Sequence, residues 1–340
     1  MKKKTAGFLV LLFTMMTALT GCSGSSALDN TAEVINVDGV SVPMGELNFY
    51  LRYQQTQMQN FYGGYFGEDF MNQDLMGTGV PYGETVRDNA VDTLKEYYVV
   101  EAHAGELGIS LTDEEKKSAA EAAKAFIEAN DSKTLTAMSA DEATVTHVLE
   151  LVALQNKVYE DRAATIDTEV DPEEIAQKRI SYVMTSTVGS SDADGNVTEL
   201  TEEELAEKKS TMEAILAEAK ESQDLSAAAE AHELSATSMT YGKDDSTLND
   251  AVREAADALA DGEFSEVIEA ESGYYVVYME STYDEDATES KRQSVLTERE
   301  RAAYDEWYTP LSEAAEITTN DEAIQKLTFE RVFNVPTEQQ

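Results

Sequence analysis

Cysteine, histidine, positive charge and long apolar runs are all scarce in this chain. A single cysteine, Cys22, excludes an intramolecular disulfide and a cysteine-ligated zinc site. Three histidines, His103, His147 and His232, lie far apart in helical contexts and read as surface or packing residues, not as a metal cluster. Lysine and arginine number 25 against 67 aspartates and glutamates, a formal net charge of −42. A chain this acidic repels nucleic acid and anionic lipid headgroups, so no nucleic-acid partner is expected. Beyond the first twenty residues no run approaches the roughly 20 apolar residues that a spanning helix needs.

What is present begins with a leader. Met1-Lys2-Lys3-Lys4 is a short positive segment, and Ala6 to Leu19 is uncharged and mostly apolar. That has the length of a signal-peptide core and is too short to span a membrane. It ends in Leu19-Thr20-Gly21-Cys22, which resembles a bacterial lipobox. Residues 1–21 therefore read as a lipoprotein signal peptide and Cys22 as the lipidated residue, anchoring the chain to the outer face of the cytoplasmic membrane. An ordinary signal peptide or a short anchor would leave Cys22 incidental. Small polar residues follow, and 22–33 reads as a flexible tether.

Periodicity divides the rest. Val34 to Val42 is a hairpin turned at Asp38-Gly39. Pro43 opens a helix that carries Leu47, Tyr50, Leu51 and Met58 toward one side. A second helix covers about Tyr82 to Leu107 and is stopped by Gly108. Thr112 with Glu115 forms a capping box for a third, and a fourth runs from about Ala140 to Ala164. At Asp171-Pro172 the pattern changes. Arg179 to Thr185 alternates like a strand, 189–197 is a polar loop, and Thr201–Lys220, Leu225–Ala231 and Leu248–Leu259 are helical. Phe264–Ile268 and Gly273–Met279 read as strands, so the order is βαααββ. Asp286 to Ala315 is helical again, followed by the apolar pairs Leu327/Phe329 and Val332/Phe333. The fold class is α+β: a helical domain over 34–170, completed by 286–333, with a small sheet-and-helix domain inserted at 171–285.

Asn36-Val37-Asp38-Gly39 before a helix, with Leu107 to Glu115 later, resembles the N-terminal chaperone domain of SurA-type foldases. Ala258 to Ser265, then Glu271-Ser272-Gly273-Tyr274-Tyr275-Val276-Val277, resembles the second half of a parvulin domain. With the lipobox, the whole is similar to lipid-anchored foldases of the PrsA/SurA type. That resemblance implies peptidyl-prolyl isomerisation, a rotation over a barrier near 20 kcal/mol. It needs no cofactor. Parvulins hold proline in an apolar pocket beside two histidines and a Cys or Asp. Here Tyr182 and Tyr275 stand at the two histidine positions and Ser235 near the third. Leu248 and Val252 fall where Met and Phe line the pocket, and Met184 joins them as a substrate-binding candidate. Two tyrosyl hydroxyls can still donate and accept hydrogen bonds, but tyrosine also packs well in strands without catalysis. The active site reads as degenerate.

Two further features stand out. Met58, Phe61, Tyr62, Tyr65, Phe66, Phe70, Met71, Leu75 and Met76 sit in a glycine-punctuated segment that reads as a loop. Such Met and aromatic surfaces suit promiscuous binding of unfolded polypeptides, with Phe61, Tyr65 and Phe66 as contact residues; the alternative is that they cap the helical core. Asp192, Asp194, Asn196 and Glu203 partly match a calcium loop, but Val197 stands where the sharp turn wants glycine, so no metal is expected. The reading is an extracytoplasmic foldase or chaperone for exported proteins. The alternative is an envelope scaffold or solute-binding lipoprotein, though a solute-binding protein should show two lobes of repeated βα units.

Overall fold

Asp38 and Gly39 take φ of 49° and 84°, the two-residue turn that Asp-Gly favours between right-twisted strands. The turn joins β1 (Glu33–Val37) to β2 (Val40–Pro43) in the computed structural model, which describes residues 28–191, 197–243 and 245–333. Residues 1–27, with the expected signal peptide and Cys22, and the 192–196 portion of the acidic loop lie outside the described residues. Residues 28–33, expected in the tether, are folded. Asn30 accepts the Gly45 N–H at its carbonyl and the Ser139 hydroxyl at its side chain, and Leu28 packs on the core.

Five helices follow: α1 (Met44–Phe66), α2 (Tyr82–His103), α3 (Asp113–Ala129), α4 (Ser132–Ala137) and α5 (Glu142–Ala163). The Thr112–Glu115 capping box starts α3. A 3-10 turn over Ala104–Leu107 continues α2 until Gly108, at φ 71°, ends it. Leu47 and Leu51 of α1, Leu94 of α2, Phe126 of α3 and Leu149 of α5 meet in one core. A buried leucine contributes about 1.5–3 kcal/mol there. The main departure from expectation is α1, which runs to Phe66 through Gly63-Gly64 where a loop was expected. Each helical glycine costs about 1 kcal/mol, but the helix is already held by its packed first half. It stops at Gly67, φ 85°, whose N–H bonds the Gly63 carbonyl at 2.9 Å.

The opposite flank of α1 is polar and buried. Asn48, Arg52, Gln55 and Gln59 recur at helical spacing. Arg52 donates to Asn48 Oδ1 at 3.0 Å, Gln55 Oε1 at 2.7 Å and the Thr328 carbonyl at 2.8 Å. Gln55 donates to the Arg331 carbonyl and Gln59 accepts the Phe333 N–H. The apolar C-terminal tail is thus laid along α1. Nearby, His147 packs edge-on against Tyr98, as a packing histidine would, and also carries polar contacts that the sequence reading did not include. Its Nδ1 lies 2.9 Å from Glu46 Oε1 and its Nε2 lies 3.5 Å from Glu101, and Tyr98 donates to Glu46 at 2.7 Å. Hydrogen bonds to Glu101 and Glu46 raise the His147 pKa to about 10.

After α6 (Pro172–Ile175), β3 (Lys178–Ser186) enters a second sheet. The small pair β4 (Ser190–Ser191) and β5 (Val197–Thr198) precedes α7 (Glu202–Ser222), which carries the expected Thr201–Glu204 capping box. Then come α8 (Leu225–Ala231), β6 (Thr237–Tyr241), α9 (Asp250–Asp257), β7 (Ile268–Ala270) and β8 (Gly273–Ser281). The sheet order is β6-β3-β8-β7, antiparallel throughout. β6 corrects the expected βαααββ order; it is an edge strand with exposed Thr237 and Ser238, so its alternation is weak in the sequence. The strand expected at Phe264–Ile268 is displaced to β7. After Gly262, φ 82°, the 262–265 segment still exchanges backbone hydrogen bonds with Val277 and Met279 of β8 and bridges Tyr278 through Phe264, but forms no regular strand.

The last elements are α10 (Glu285–Ala314), β9 (Ile317–Thr319) and α11 (Asp321–Ile324). β9 pairs with β1 to give the order β2-β1-β9, a third strand that the periodicity of the connection to the tail does not announce. The described residues divide into two units, one up to Thr165 and from Glu300 onward, the other Ile166–Arg299. In the first, the Tyr304 hydroxyl donates to Glu96 at 2.7 Å and accepts from Gln155 at 2.8 Å, beside Tyr159 and Trp307. No helix among the described residues is long and apolar enough to cross a membrane.

Candidate functional site

Strand alternation puts Ile180, Tyr182 and Met184 of β3 on one face of the second sheet. Their cross-strand partners on β8 are Met279, Val277 and Tyr275. On the other side of β3, Thr237 and Met239 of β6 face Tyr182 and Ile180. Val252 and Ala256 of α9, with Leu248 just ahead of it, cover this face, and Ile268 closes it beside Tyr275. The opposite face holds Val183, Tyr274 and Val276 against α7 and α8.

Tyr182 and Tyr275 sit diagonally across the β3–β8 pair, within reach of large side chains. Their ring centroids are 6.0 Å apart at an interplanar angle of 42°. Tyr275 is only 8% exposed, and its hydroxyl shares a 2.8 Å hydrogen bond with Ser272 Oγ. Met184, opposite Tyr275, stands at the rim and is exposed. The structure therefore brings together Tyr182, Tyr275, Met184, Leu248 and Val252. It does not bring Ser235 into that buried cluster. Ser235 precedes β6 and is exposed, between Leu234 and Ala236, which pack on the opposite core. Ser272, not singled out by the sequence reading, is the polar partner of Tyr275. Its only sequence signal is its place three residues ahead in the turn before β8. Gly273 is demanded there: a Cβ would run into the Thr185 carbonyl of β3. The result is a buried apolar cluster that carries two phenols, whose hydroxyls can donate and accept hydrogen bonds. It has no imidazole.

A second candidate surface lies at the end of α1. Of ten large apolar side chains exposed among the described residues, six fall within 61–80, so the exposure is concentrated there. Phe61 is 70% exposed, Tyr65 84%, Phe66 51% and Met76 72%; Tyr62 and Val80 are the others. Phe70 and Met71, from the same group, are buried instead. Of the two expectations for this segment, core capping holds for Phe70 and Met71, while Phe61, Tyr65 and Phe66 lie exposed. The rings are chained: Phe61–Tyr62 at 4.8 Å, Tyr62–Phe66 at 6.2 Å, Phe66–Phe70 at 6.4 Å and Phe70–Tyr82 at 6.0 Å. An exposed aromatic edge is therefore fixed to the core through Phe70. Among the described residues no group of three or more His, Cys, Asp or Glu side chains is placed to hold a metal ion. The loop weighed for calcium falls largely outside them.

Residues 171–290 match the family profile of the PPIC-type PPIase domain, and residues 1–140 that of the SurA-like N-terminal domain. No curated protein matches the chain. Similar solved structures include the foldase protein PrsA of Lactococcus lactis, at 15% identity over 86% of this chain and 96% of that one, with a TM-score of 0.33. The peptidylprolyl isomerase PrsA of Bacillus cereus is 14% identical over 87% and 96%, with a TM-score of 0.31. A SurA-like chaperone of Campylobacter jejuni is 12% identical over 85% and 99%, with a TM-score of 0.30.

Proposed function

Because the chain joins a SurA-like N-terminal domain to a PPIC-type PPIase domain, and so belongs to the parvulin-containing foldases of the PrsA/SurA type, we propose that it keeps unfolded exported polypeptides from aggregating outside the cytoplasm. The lipobox-like Leu19-Thr20-Gly21-Cys22 supports lipid anchoring through Cys22 to the outer face of the cytoplasmic membrane. The observation that carries the chaperone reading is the exposed aromatic edge of α1. Exposed apolar side chains this concentrated serve binding on a soluble surface, and flexible aromatic and Met side chains adapt to varied partners. Aggregation of an unfolded client in the presence of the full chain tests it. Slowing at near-stoichiometric ratios is the expected result, and no slowing by a folded sample contradicts it.

The parvulin-like domain acts first as a peptide-binding surface. Tyr182, Tyr275, Met184, Leu248 and Val252 offer a floor for proline, and the hydroxyls supply one or two hydrogen bonds. Tyr275 is tied to Ser272, and Ser235 stands apart, so isomerase activity is weak. On a proline-containing tetrapeptide, the Y182H/Y275H double variant should accelerate isomerisation beyond the parent chain. If Tyr275→Phe leaves the parent's rate unchanged, that hydroxyl takes no part in the rotation. A scaffold role without clients would leave secreted polypeptides uncaptured in a pull-down from the culture fluid.

A further inference from the structure

The second sheet ends at β6 without the features that usually close an edge. In the order β6-β3-β8-β7, β6 has β3 on one side and no strand of the described residues on the other. Natural sheets blunt such an edge with lysine, proline, a bulge or a very short strand. β6 reads Thr-Ser-Met-Thr-Tyr, with no charge and no proline. Its pairing runs without a register shift from Lys178↔Tyr241 to Tyr182↔Thr237, so no bulge turns it away. Thr237 and Ser238 are exposed, Met239 and Thr240 are half-buried, and Tyr241 is buried. The other edge strand, β7, has three residues, and its central Glu269 faces Lys209. In an antiparallel pair every second residue turns its N–H and C=O away from the partner. β6 therefore presents a row of main-chain donors and acceptors on its outer side.

A row with that spacing is matched by another extended strand. Two occupants could supply one, a second copy of this chain or a segment of an unfolded polypeptide. Charge separates them. Each copy carries a formal net charge of −42, so pairing β6 with β6 brings two acidic bodies together. The side chain that borders β6 is also anionic: Glu280 accepts from Ser238 at 3.3 Å and from Ser181. Resting on the chaperone reading, we propose that the outer edge of β6 captures an extended, neutral or basic segment of an unfolded polypeptide as an added strand. Recognition through the main chain is indifferent to most of the sequence, which suits varied clients. Alternate side chains of the added strand would fall on the face of Thr237 and Met239, alongside Tyr182 and Ile180.

The test uses the full chain and a short fluorescent peptide of alternating threonine and valine with a lysine at each end. Fluorescence anisotropy gives its affinity, and amide hydrogen exchange locates it. Saturating peptide should slow exchange within 237–241. A version N-methylated at every residue keeps the side chains and lacks the main-chain donors. It should bind about tenfold or more weakly, the loss expected for two or three hydrogen bonds. A version methylated only at alternate residues keeps one free edge, and at least one of its two registers should still bind. A version with glutamate at both ends should bind more weakly than the lysine one at low salt, with the difference shrinking as salt is added. Equal binding of the parent and fully methylated peptides overturns the proposal. So does slowed exchange confined to β2, β9 or the end of α1, and so does slowed exchange at β6 that rises with protein concentration and needs no peptide, which would mark a second copy as the occupant. Aggregation suppression scores the chaperone reading separately. If the chain slows aggregation while exchange at β6 ignores the peptide, the edge proposal fails and the chaperone stands. If β6 takes the peptide and aggregation is not slowed, the edge stands and the chaperone reading fails.

Discussion

His147 lies between two carboxylates, and its protonation bears on the stability of the helical unit. Its pKa rises from the ordinary 6.5 to about 10 through Glu101 and Glu46. A group raised in the folded state adds stability in full below its unfolded pKa and loses it as pH climbs through the folded one. The contribution of His147 is therefore complete below about 6.5 and fades toward about 10. Urea unfolding of the parent chain and His147→Gln should show the widest gap near pH 6 and a narrower gap near pH 9.5. A gap independent of pH would show that the imidazolium is not what these carboxylates hold. Arg52 makes a second prediction at this scale. Arg52→Met strands Gln55 Oε1 and the Thr328 carbonyl in a buried setting, and should cost about 3 kcal/mol in unfolding free energy; a loss under 1 kcal/mol would mean that the tail does not depend on it. Both roles were only half legible in the sequence. The spacing of Asn48, Arg52, Gln55 and Gln59 does mark one helix face, but nothing local says that the face is covered by residues about 270 positions later. Tyr182 and Tyr275 could be paired from the parvulin resemblance. Ser272 could not, because its partnership depends on how the turn before β8 closes.

At the scale of elements, caps and turns were the most legible features. Asp38-Gly39, the Thr112 and Thr201 capping boxes and Gly108 act through residues a few positions apart, so local chemistry sufficed. Elements whose existence depends on distant partners were missed. β9 has three residues and is held by β1, and β6 shows little alternation because it lies at an edge. The end of α1 was misread for a different reason: two glycines suggested a loop, yet the helix crosses them with open space where each Cβ would stand. These glycines weaken the helix without serving packing. G63A/G64A should therefore stabilise the helical unit by about 0.5–1 kcal/mol per site, read by thermal or urea unfolding. Destabilisation would show that the glycines adopt another conformation. Gly83, by contrast, has no room. A Cβ there would meet Phe329 and the Met71 carbonyl, so Gly83→Ala should push the tail off α2 and lower stability.

At the scale of the molecule, the chain combines a SurA-like helical unit with an inserted sheet-and-helix unit of the PPIC type. Catalytic and holding functions are unequally provided. The sheet face has a buried apolar cluster and two phenols, but one hydroxyl is already bonded and Ser235 is outside the cluster. The helical unit exposes a chained aromatic edge that its own core does not need. On the proposed reading, holding unfolded chains outweighs rotating prolines. Its most direct test is suppression of client aggregation by the full chain and by F61A/Y65A/F66A. These three side chains are exposed, so the variant should keep its circular dichroism and unfolding transition. The parent is expected to slow aggregation and the folded triple variant to lose most of that effect. A folded triple variant that suppresses aggregation as well as the parent would contradict it.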